Sequence, residues 1–353
     1  MAKILHIAPQ NTAGMPMDFV KMHRQFGFES NLVTIYKNKL HFEEDISLNL
    51  ELPQSNLAKK WRDKKIETPS EPALKIYKPK NIVEEIYFGL RDSKNKKRIN
   101  ELIEEYNLFD YDIYHFDGGM DFFRNLSFAK ELKKRKKKIV CCYFGSDLRT
   151  RGIFKELEDM SDLLLTVEYD HLLLHSKVNY IFFPFDVKNI KFKPANNNIK
   201  KIIHSPTNRA FKGTDKILPE IEKAKKECDF EFLLMENIDR EELLKIKSGC
   251  DLAIDQVGGE MGGSGYGKNS IENLSMGIPT FTEFFDDYYN FLDSNPFINS
   301  NIGNLKENIV KFVKSVALVE EYAVKGRKWV EETHSFEAVN EKLLSYYKKF
   351  NII

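Results

Sequence analysis

The sequence predicts an α/β protein built as two tandem Rossmann-like halves. Three observations carry this. Lys3-Ile4-Leu5-His6-Ile7-Ala8 is a buried-type apolar strand at the start of the chain, and a helical stretch and a second strand follow it. A new strand–helix alternation opens at Lys201, after the Pro- and Asn-containing stretch from Asp186 to Lys200. Between Asp251 and Thr282 an apolar strand, a glycine-loaded loop, a short helix and another strand form a βαβ half-unit.

In the first half, Pro9 to Met15 turns into a helix from about Pro16 to Gln25, with proline at the helix start and Gly14 in the preceding turn. Ser30 to Tyr36 is the second strand. Residues 37–95 are rich in Lys, Glu, Asn and Pro and read as an insertion of loops and short helices. Helix resumes near Arg98 to Tyr106. Ile113-Tyr114-His115-Phe116 is a strand ending at Asp117-Gly118-Gly119, a helix runs from about Asn125 to Lys134, and Ile139 to Phe144 is the next strand, leaving through Gly145-Ser146-Asp147-Leu148-Arg149. Leu163 to Val167 and Ile181 to Phe183 close this half as strands.

In the second half, Lys201 to His204 is a strand, Ser205 to Gly213 a polar loop, and Thr214 to Glu227 a helix with Thr214 as its N-cap. Phe230 to Met235 and Arg240 to Lys247 add a strand and a helix. Leu305, Ile309, Phe312, Val313 and Val316 recur at helical spacing, and a last helix spans about Phe336 to Phe350. The expected domains are residues 1–190, residues 191–335, and a closing helix, 336–353, packing back toward the first.

Composition excludes some functions. The 54 basic and 53 acidic side chains nearly cancel, so no global charge points to nucleic acid. Positive charge is local, at Lys59–Lys65, Lys94–Arg98 and Lys133–Lys138, which fits solvated faces or a membrane-surface patch. Four cysteines without a C-x-x-C motif suggest reduced thiols in a cytosolic protein. No stretch approaches the length of a transmembrane helix, and the start of the chain does not read as a signal peptide.

The loop between Asp255 and Lys268 holds six glycines, Gly258, Gly259, Gly262, Gly263, Gly265 and Gly267. Glycine allows close backbone approach, and a helix starting after it points free N–H groups and a positive dipole end at the enclosed ligand. Three readings stand side by side. One is a surface loop with an Asn269–Glu272 capping box. Another is a P-loop over Gly262–Lys268, which carries Asn269 where Mg²⁺ coordination calls for Ser or Thr. The third is a cradle for a nucleotide diphosphate.

Three segments resemble the GT-B glycosyltransferases, specifically the family-4-like group. They are His204-Ser205-Pro206-Thr207-Asn208-Arg209-Ala210-Phe211-Lys212-Gly213-Thr214, Gly265-Tyr266-Gly267 through Glu272 to Pro279, and Gly326-Arg327-Lys328-Trp329-Val330 with His334-Ser335-Phe336. The resemblance covers about residues 200–350 and is weaker over the first half. It implies two Rossmann-like domains facing each other across a cleft and transfer of a sugar from a nucleotide-diphosphate sugar to an acceptor hydroxyl, in glycan or glycolipid biosynthesis. Asn208, Arg209, Lys212, Gly265, Tyr266, Gly267 and Glu272, with Gly14 of the first domain, are then donor-binding residues. Arginine suits bidentate phosphate contact and lysine acts as a point charge, so they and the 268–276 helix can stabilise the leaving diphosphate without a metal or cofactor.

The resemblance has one departure. The family often carries two glutamates spaced E-x₇-E, and the position eight before Glu272 is Ser264; Glu260 can reach the same place through the loop. His115, Asp147 and Glu260 are the candidate catalytic residues, the first two as strand-end groups that position or deprotonate the acceptor. His6, His23, His171 and His175 receive no role. The expected partners are a nucleotide sugar, a glycan or lipid-linked acceptor and an anionic membrane at the cytoplasmic face. A sugar-nucleotide epimerase or hydrolase and a non-catalytic nucleotide-sugar-binding module are the alternatives.

Overall fold

The computed structural model describes residues 2–38, 42–52, 74–79, 81–193, 198–259 and 265–353. The run Lys59–Lys65 and the loop residues Glu260, Gly262, Gly263 and Ser264 lie outside the described residues. The chain divides into two compact units, Met1–Pro184 with Val339–Ile353, and Phe185–Ala338.

The first unit holds strands β1 (Lys3–Ala8), β2 (Glu29–Tyr36), β3 (Ile46–Leu50), β4 (Ile113–Asp117), β5 (Lys138–Tyr143), β6 (Leu163–Thr166) and β7 (Asn179–Tyr180). They form one parallel sheet in the order β3-β2-β1-β4-β5-β6-β7. Its helices are α1 (Met15–Gln25), α2 (Ile82–Glu105), α3 (Ser127–Lys134), α4 (Lys155–Met160) and α5 (Tyr169–Leu174). Alternation along the strands sorts the core: Leu5, Ile7, Tyr114 and Phe116 pack into the larger apolar cluster with Phe128 and Leu132 of α3. Ala8 and Leu32 face Met17 and Val20 of α1 on the other side.

The stretch read as loops and short helices differs in two ways. Ile46–Leu50 adds a parallel strand beside β2. Ile82–Glu105 is one 24-residue helix, N-capped by Asn81, whose side chain accepts from the Glu84 N–H. Only Glu84, Phe88, Ile99, Leu102 and Ile103 of that helix are buried, while Ile82, Val83, Ile86 and Leu90 are exposed, so apolar periodicity does not trace it. The strand expected at Ile181–Phe183 lies instead at Asn179–Tyr180.

The second unit holds β8 (Lys201–His204), β9 (Glu231–Leu234), β10 (Leu252–Ile254), β11 (Thr280–Thr282) and β12 (Ile298–Asn299), parallel in the order β12-β11-β10-β8-β9. Helices α6 (Arg209–Lys212), α7 (Thr214–Ala224), α8 (Arg240–Lys247), α9 (Lys268–Met276), α10 (Asp286–Phe291), α11 (Leu305–Val313) and α12 (Val316–Thr333) accompany them. The last helix, α13 (Phe336–Lys349), begins in this unit and continues into the first from Val339 onward. Gly213, in a left-handed turn, caps α7, so Thr214 is its first helical residue rather than its N-cap. In both sheets the order reverses direction between two neighbouring strands, β1 and β4 in one and β8 and β10 in the other. The carboxyl ends at such a reversal open a crevice, the usual ligand position in open α/β sheets.

Candidate functional site

In the second unit the reversal brings His204, at the end of β8, beside Asp255, just past β10. His204 Nδ1 donates to the Ile254 carbonyl at 2.9 Å, so Nε2 carries the lone pair and accepts from the Thr214 hydroxyl at 2.9 Å. Asp255 is 1 % exposed and gathers three donors: Lys212 Nζ at 2.7 Å, Asn269 Nδ2 at 3.0 Å and Ser270 Oγ at 2.5 Å. Burial pushes its carboxyl up, but the Lys212 ammonium and the hydroxyl and amide donors outweigh burial and hold it well below the usual carboxylate range. One carboxylate thus ties the loop after β8 to the first turn of α9.

A second charged cluster adjoins it. Lys247, fully buried at the end of α8, donates to Asn269 Oδ1 at 2.6 Å and to Glu272 Oε2 at 2.8 Å. Arg240 Nε reaches Glu272 Oε1 at 3.0 Å, and Ser205 Oγ donates to Asn269 Oδ1 at 3.0 Å. Burial pushes the Glu272 carboxyl up; Lys247 and Arg240 reverse that and hold it low. The capping-box reading is corrected here. Gly267 is the N-cap of α9, so Asn269 lies inside the helix and Glu272 is held by cations rather than by a cap.

Asn208 caps the one-turn helix α6, accepting from the Phe211 N–H at 3.1 Å. Arg209 is already paired, with Asp215 at 2.6 Å and Glu236 at 2.8 Å, and it is 41 % exposed at the side chain. Arg209 and Lys212 therefore each have a carboxylate partner, and a bound phosphate would have to compete with those partners. The glycines divide by task. A Cβ on Gly213 would lie 1.9 Å from the Val257 carbonyl oxygen, and one on Gly259 would lie 2.1 Å from that of Phe211. Gly213 and Gly259 therefore serve the close packing of two loops. Gly265, at φ +102, fits against the Tyr288 and Phe284 rings, whereas Gly267 faces open space at the start of α9. Tyr266 stacks on Phe297 at 4.9 Å, and its hydroxyl meets His334 Nε2 at 2.9 Å, so it anchors the loop.

In the first unit a cavity of about 420 Å³ opens at the β1/β4 reversal. Pro9, Asp117, Gly118, Asp147, Arg124 and Arg151 are among its lining residues. Asp147 accepts N–H bonds from Phe144, Gly145 and Leu148 at 2.9, 2.9 and 2.7 Å, which makes it a cap of its own turn at the cavity rim. His115 is corrected. It sits within β4 rather than at its end, is 1 % exposed, does not line the cavity, and burial with its neighbour His6 pushes it well below the ordinary histidine range. The strand-end group is Asp117. Its Oδ2 accepts from His6 Nδ1 at 2.8 Å, and its Oδ1 has no partner among the described residues. Gly14, at φ +75, is the left-handed N-cap of α1 and is not a lining residue. Asp117, Asp255 and Lys247 were not singled out in the sequence, although Asp255 carried the signal of a carboxylate immediately after an apolar strand.

No family model matches the chain, and no curated protein matches it by sequence. Solved structures do. TarM from S. aureus, in complex with fondaparinux, alpha-GlcNAc-glycerol and UDP, has a TM-score of 0.58 at 12 % identity, covering 98 % of this chain and 100 % of that one. A glycosyltransferase from Rickettsia africae gives 0.58 at 14 % identity, covering 99 % and 98 %. A putative UDP-N-acetylglucosamine 2-epimerase from Listeria monocytogenes gives 0.53 at 14 % identity, covering 99 % and 96 %. Two parallel sheets with interleaved helices, matched over nearly the whole length of each of these proteins, identify the chain as having the GT-B fold.

Proposed function

We propose that the protein is a glycosyltransferase that moves a sugar from a nucleotide-diphosphate donor to an acceptor hydroxyl. The observation that carries this reading is the β8/β10 reversal, where the start of α9 and the Lys212 ammonium converge. Free N–H groups at a helix start and a nearby ammonium stabilise the negative charge that builds on a departing diphosphate. Asp255 and Asn269 hold those groups in place, while Lys247 and Arg240 keep Glu272 ionised. Arg240 lies against Oε1 through two nitrogens and Lys247 against Oε2, so of about four lone-pair positions Glu272 keeps one, on Oε2, for a ribose hydroxyl, and a second hydroxyl would have to displace Arg240. In the first unit Asp117, a cavity-lining carboxylate whose buried Oδ1 has no partner among the described residues, is the group suited to receive an acceptor proton.

Two features favour a lipid-linked acceptor and work at the cytoplasmic face of a membrane. Ile82 (72 % exposed), Val83, Ile86 and Leu90 (67 % exposed) form an apolar stripe on α2, followed on the same helix by Lys94–Arg98. Beside it a groove of about 1280 Å³ combines Phe88, Phe109 and Phe123 with Lys96, Arg124 and Arg135. The run Lys133–Lys138 contributes less than its sequence suggested, because Lys133 pairs with Asp162 and both Lys134 and Arg135 pair with Glu131. No described helix is long and apolar enough to cross a membrane.

Calorimetry with UDP, GDP, ADP and CMP tests the reading: one nucleoside diphosphate binds, and Lys212→Ala weakens it by about 1.5–3 kcal/mol. Absence of binding by all four overturns it. The epimerase-like neighbour supports a second reading, in which the sugar nucleotide is converted without any acceptor. Donor turnover that is independent of acceptor favours that alternative.

A further inference from the structure

Three histidines from separate elements meet on the face of the first sheet opposite the larger core cluster. The β1/β4 register sets His6 directly beside His115, and His23 approaches from α1. Their ring centroids lie 4.4 Å (His6–His115), 5.3 Å (His6–His23) and 5.9 Å (His23–His115) apart. All three are at most 1 % exposed, and one ring nitrogen of each lies within 4.8 Å of the other two.

The hydrogen bonds around them leave lone pairs unused. Asp117 takes the Nδ1–H of His6, which puts the His6 lone pair on Nε2, and that atom has no partner among the described residues. Neither nitrogen of His23 has one. His115 Nε2 lies 2.5 Å from the Tyr347 hydroxyl, and donating its N–H there puts the His115 lone pair on Nδ1. Buried polar atoms are nearly always satisfied, so several orphaned nitrogens gathered in one place call for a shared partner. Neutral imidazoles are good ligands for divalent first-row metals, and a carboxylate on the outer N–H is the usual second support of such a ligand.

The geometry points to a binding site for a first-row divalent cation, of which zinc is the best fit, held by His6, His23 and His115 with Asp117 orienting His6. Tetrahedral zinc with bonds of about 2.1 Å spaces its nitrogens by about 3.4 Å. The rings must therefore draw inward, and the 29° between the His6 and His115 planes must open. Such an ion would cross-link β1, α1 and β4. It lies outside the donor site, and no step of sugar transfer is assigned to it.

The full chain, stripped with a chelator, is to be reloaded with Zn²⁺ or Co²⁺ alone, desalted and analysed for metal. The expected result is about one equivalent of zinc per chain, a rise in Tm, and visible absorption of Co²⁺ in a tetrahedral site. His23→Leu, which keeps an apolar side chain in the core, should abolish all three while nucleotide binding by the second unit persists. Less than about a tenth of an equivalent in the unmutated protein overturns the proposal and leaves a water as the shared partner. Zinc retained equally by His23→Leu overturns it too, as adventitious binding. Should His23→Leu fail to fold, the Co²⁺ spectrum of the unmutated protein decides: tetrahedral bands support the site and their absence removes it.

Discussion

Lys247 Nζ lies 2.8 Å from Glu272 Oε2, with the ammonium fully buried and the carboxylate nearly so. Removing one member of a buried pair costs about 3–5 kcal/mol when the other charge is left alone, but Arg240 stays beside Glu272. Lys247→Met is therefore expected to lower stability by less than that, about 1–3 kcal/mol, in urea unfolding. Lys247→Met combined with Glu272→Leu should cost less than Lys247→Met alone. Strict additivity of the two single changes would show that the pair is not coupled.

Stability of the second unit should depend on pH on the acid side. Asp255 and Glu272 both have carboxyls held below their ordinary range in the folded state, facing Lys212, Asn269 and Ser270 in one case and Lys247 and Arg240 in the other. Groups depressed on folding contribute stability that is complete above the unfolded-state value, about 4, and is lost as pH falls below it. The buried neutral His204, held down by burial, already lowers Tm as pH drops below about 6.5, and the two carboxylates should add a further fall below about 4, which is shallower in Asp255→Asn. An identical acid profile in the variant would remove Asp255 as a source.

Gly213 and Gly267 should respond oppositely to alanine. Gly213 has φ +71 and no room for a Cβ, so Gly213→Ala should destabilise by at least about 2 kcal/mol. Gly267 has an extended backbone and open space, so Gly267→Ala should stay within about 0.5 kcal/mol. A reduced nucleotide affinity in a stable Gly267→Ala protein would show that a ligand backbone or phosphate uses that space.

Arg209 pairs at a solvent-accessible position, so Arg209→Ala should change stability by less than about 1 kcal/mol. A larger loss in thermal unfolding would mean that the pairs hold α6 in place. Diphosphate affinity, measured on the same protein, tells whether Arg209 leaves its carboxylates for the donor.

The α2 stripe predicts sedimentation with anionic and not neutral vesicles at low salt, weakened as salt rises. Ile86→Glu with Leu90→Glu should abolish it while leaving Tm nearly unchanged, since both side chains are exposed. Equal recovery in the supernatant with both lipid types would leave the stripe without a lipid role.

Local patterns made much of this legible. The strand from Leu252 and the helix from Lys268 appear in the sequence as apolar and periodic segments on either side of a glycine-rich stretch, and both are found there. Helix α2 was not legible, because half of its apolar residues face outward and give no buried period. Partnerships set by sheet register were also hidden. His6 and His115 are adjacent only because β1 and β4 pair, and Lys212 meets Asp255 only because β8 and β10 do. His115 read as a strand-end base, whereas β4 runs on to Asp117, which takes that position.

Helix α13 gives the two units different histories during synthesis. The unit from Phe185 to Ala338 is contiguous, and its strands and helices have all been made by the time Ala338 is added. The other unit is made first in large part, yet it lacks Tyr346 and Tyr347, whose hydroxyls reach the Tyr180 carbonyl and the His115 ring, until the second unit has been made. The sheet that begins the chain must wait on the ribosome with one face unfinished while a later unit can already close. Domains usually mature from the N-terminus onward; here the final contacts of the first sheet come from residues 339–353.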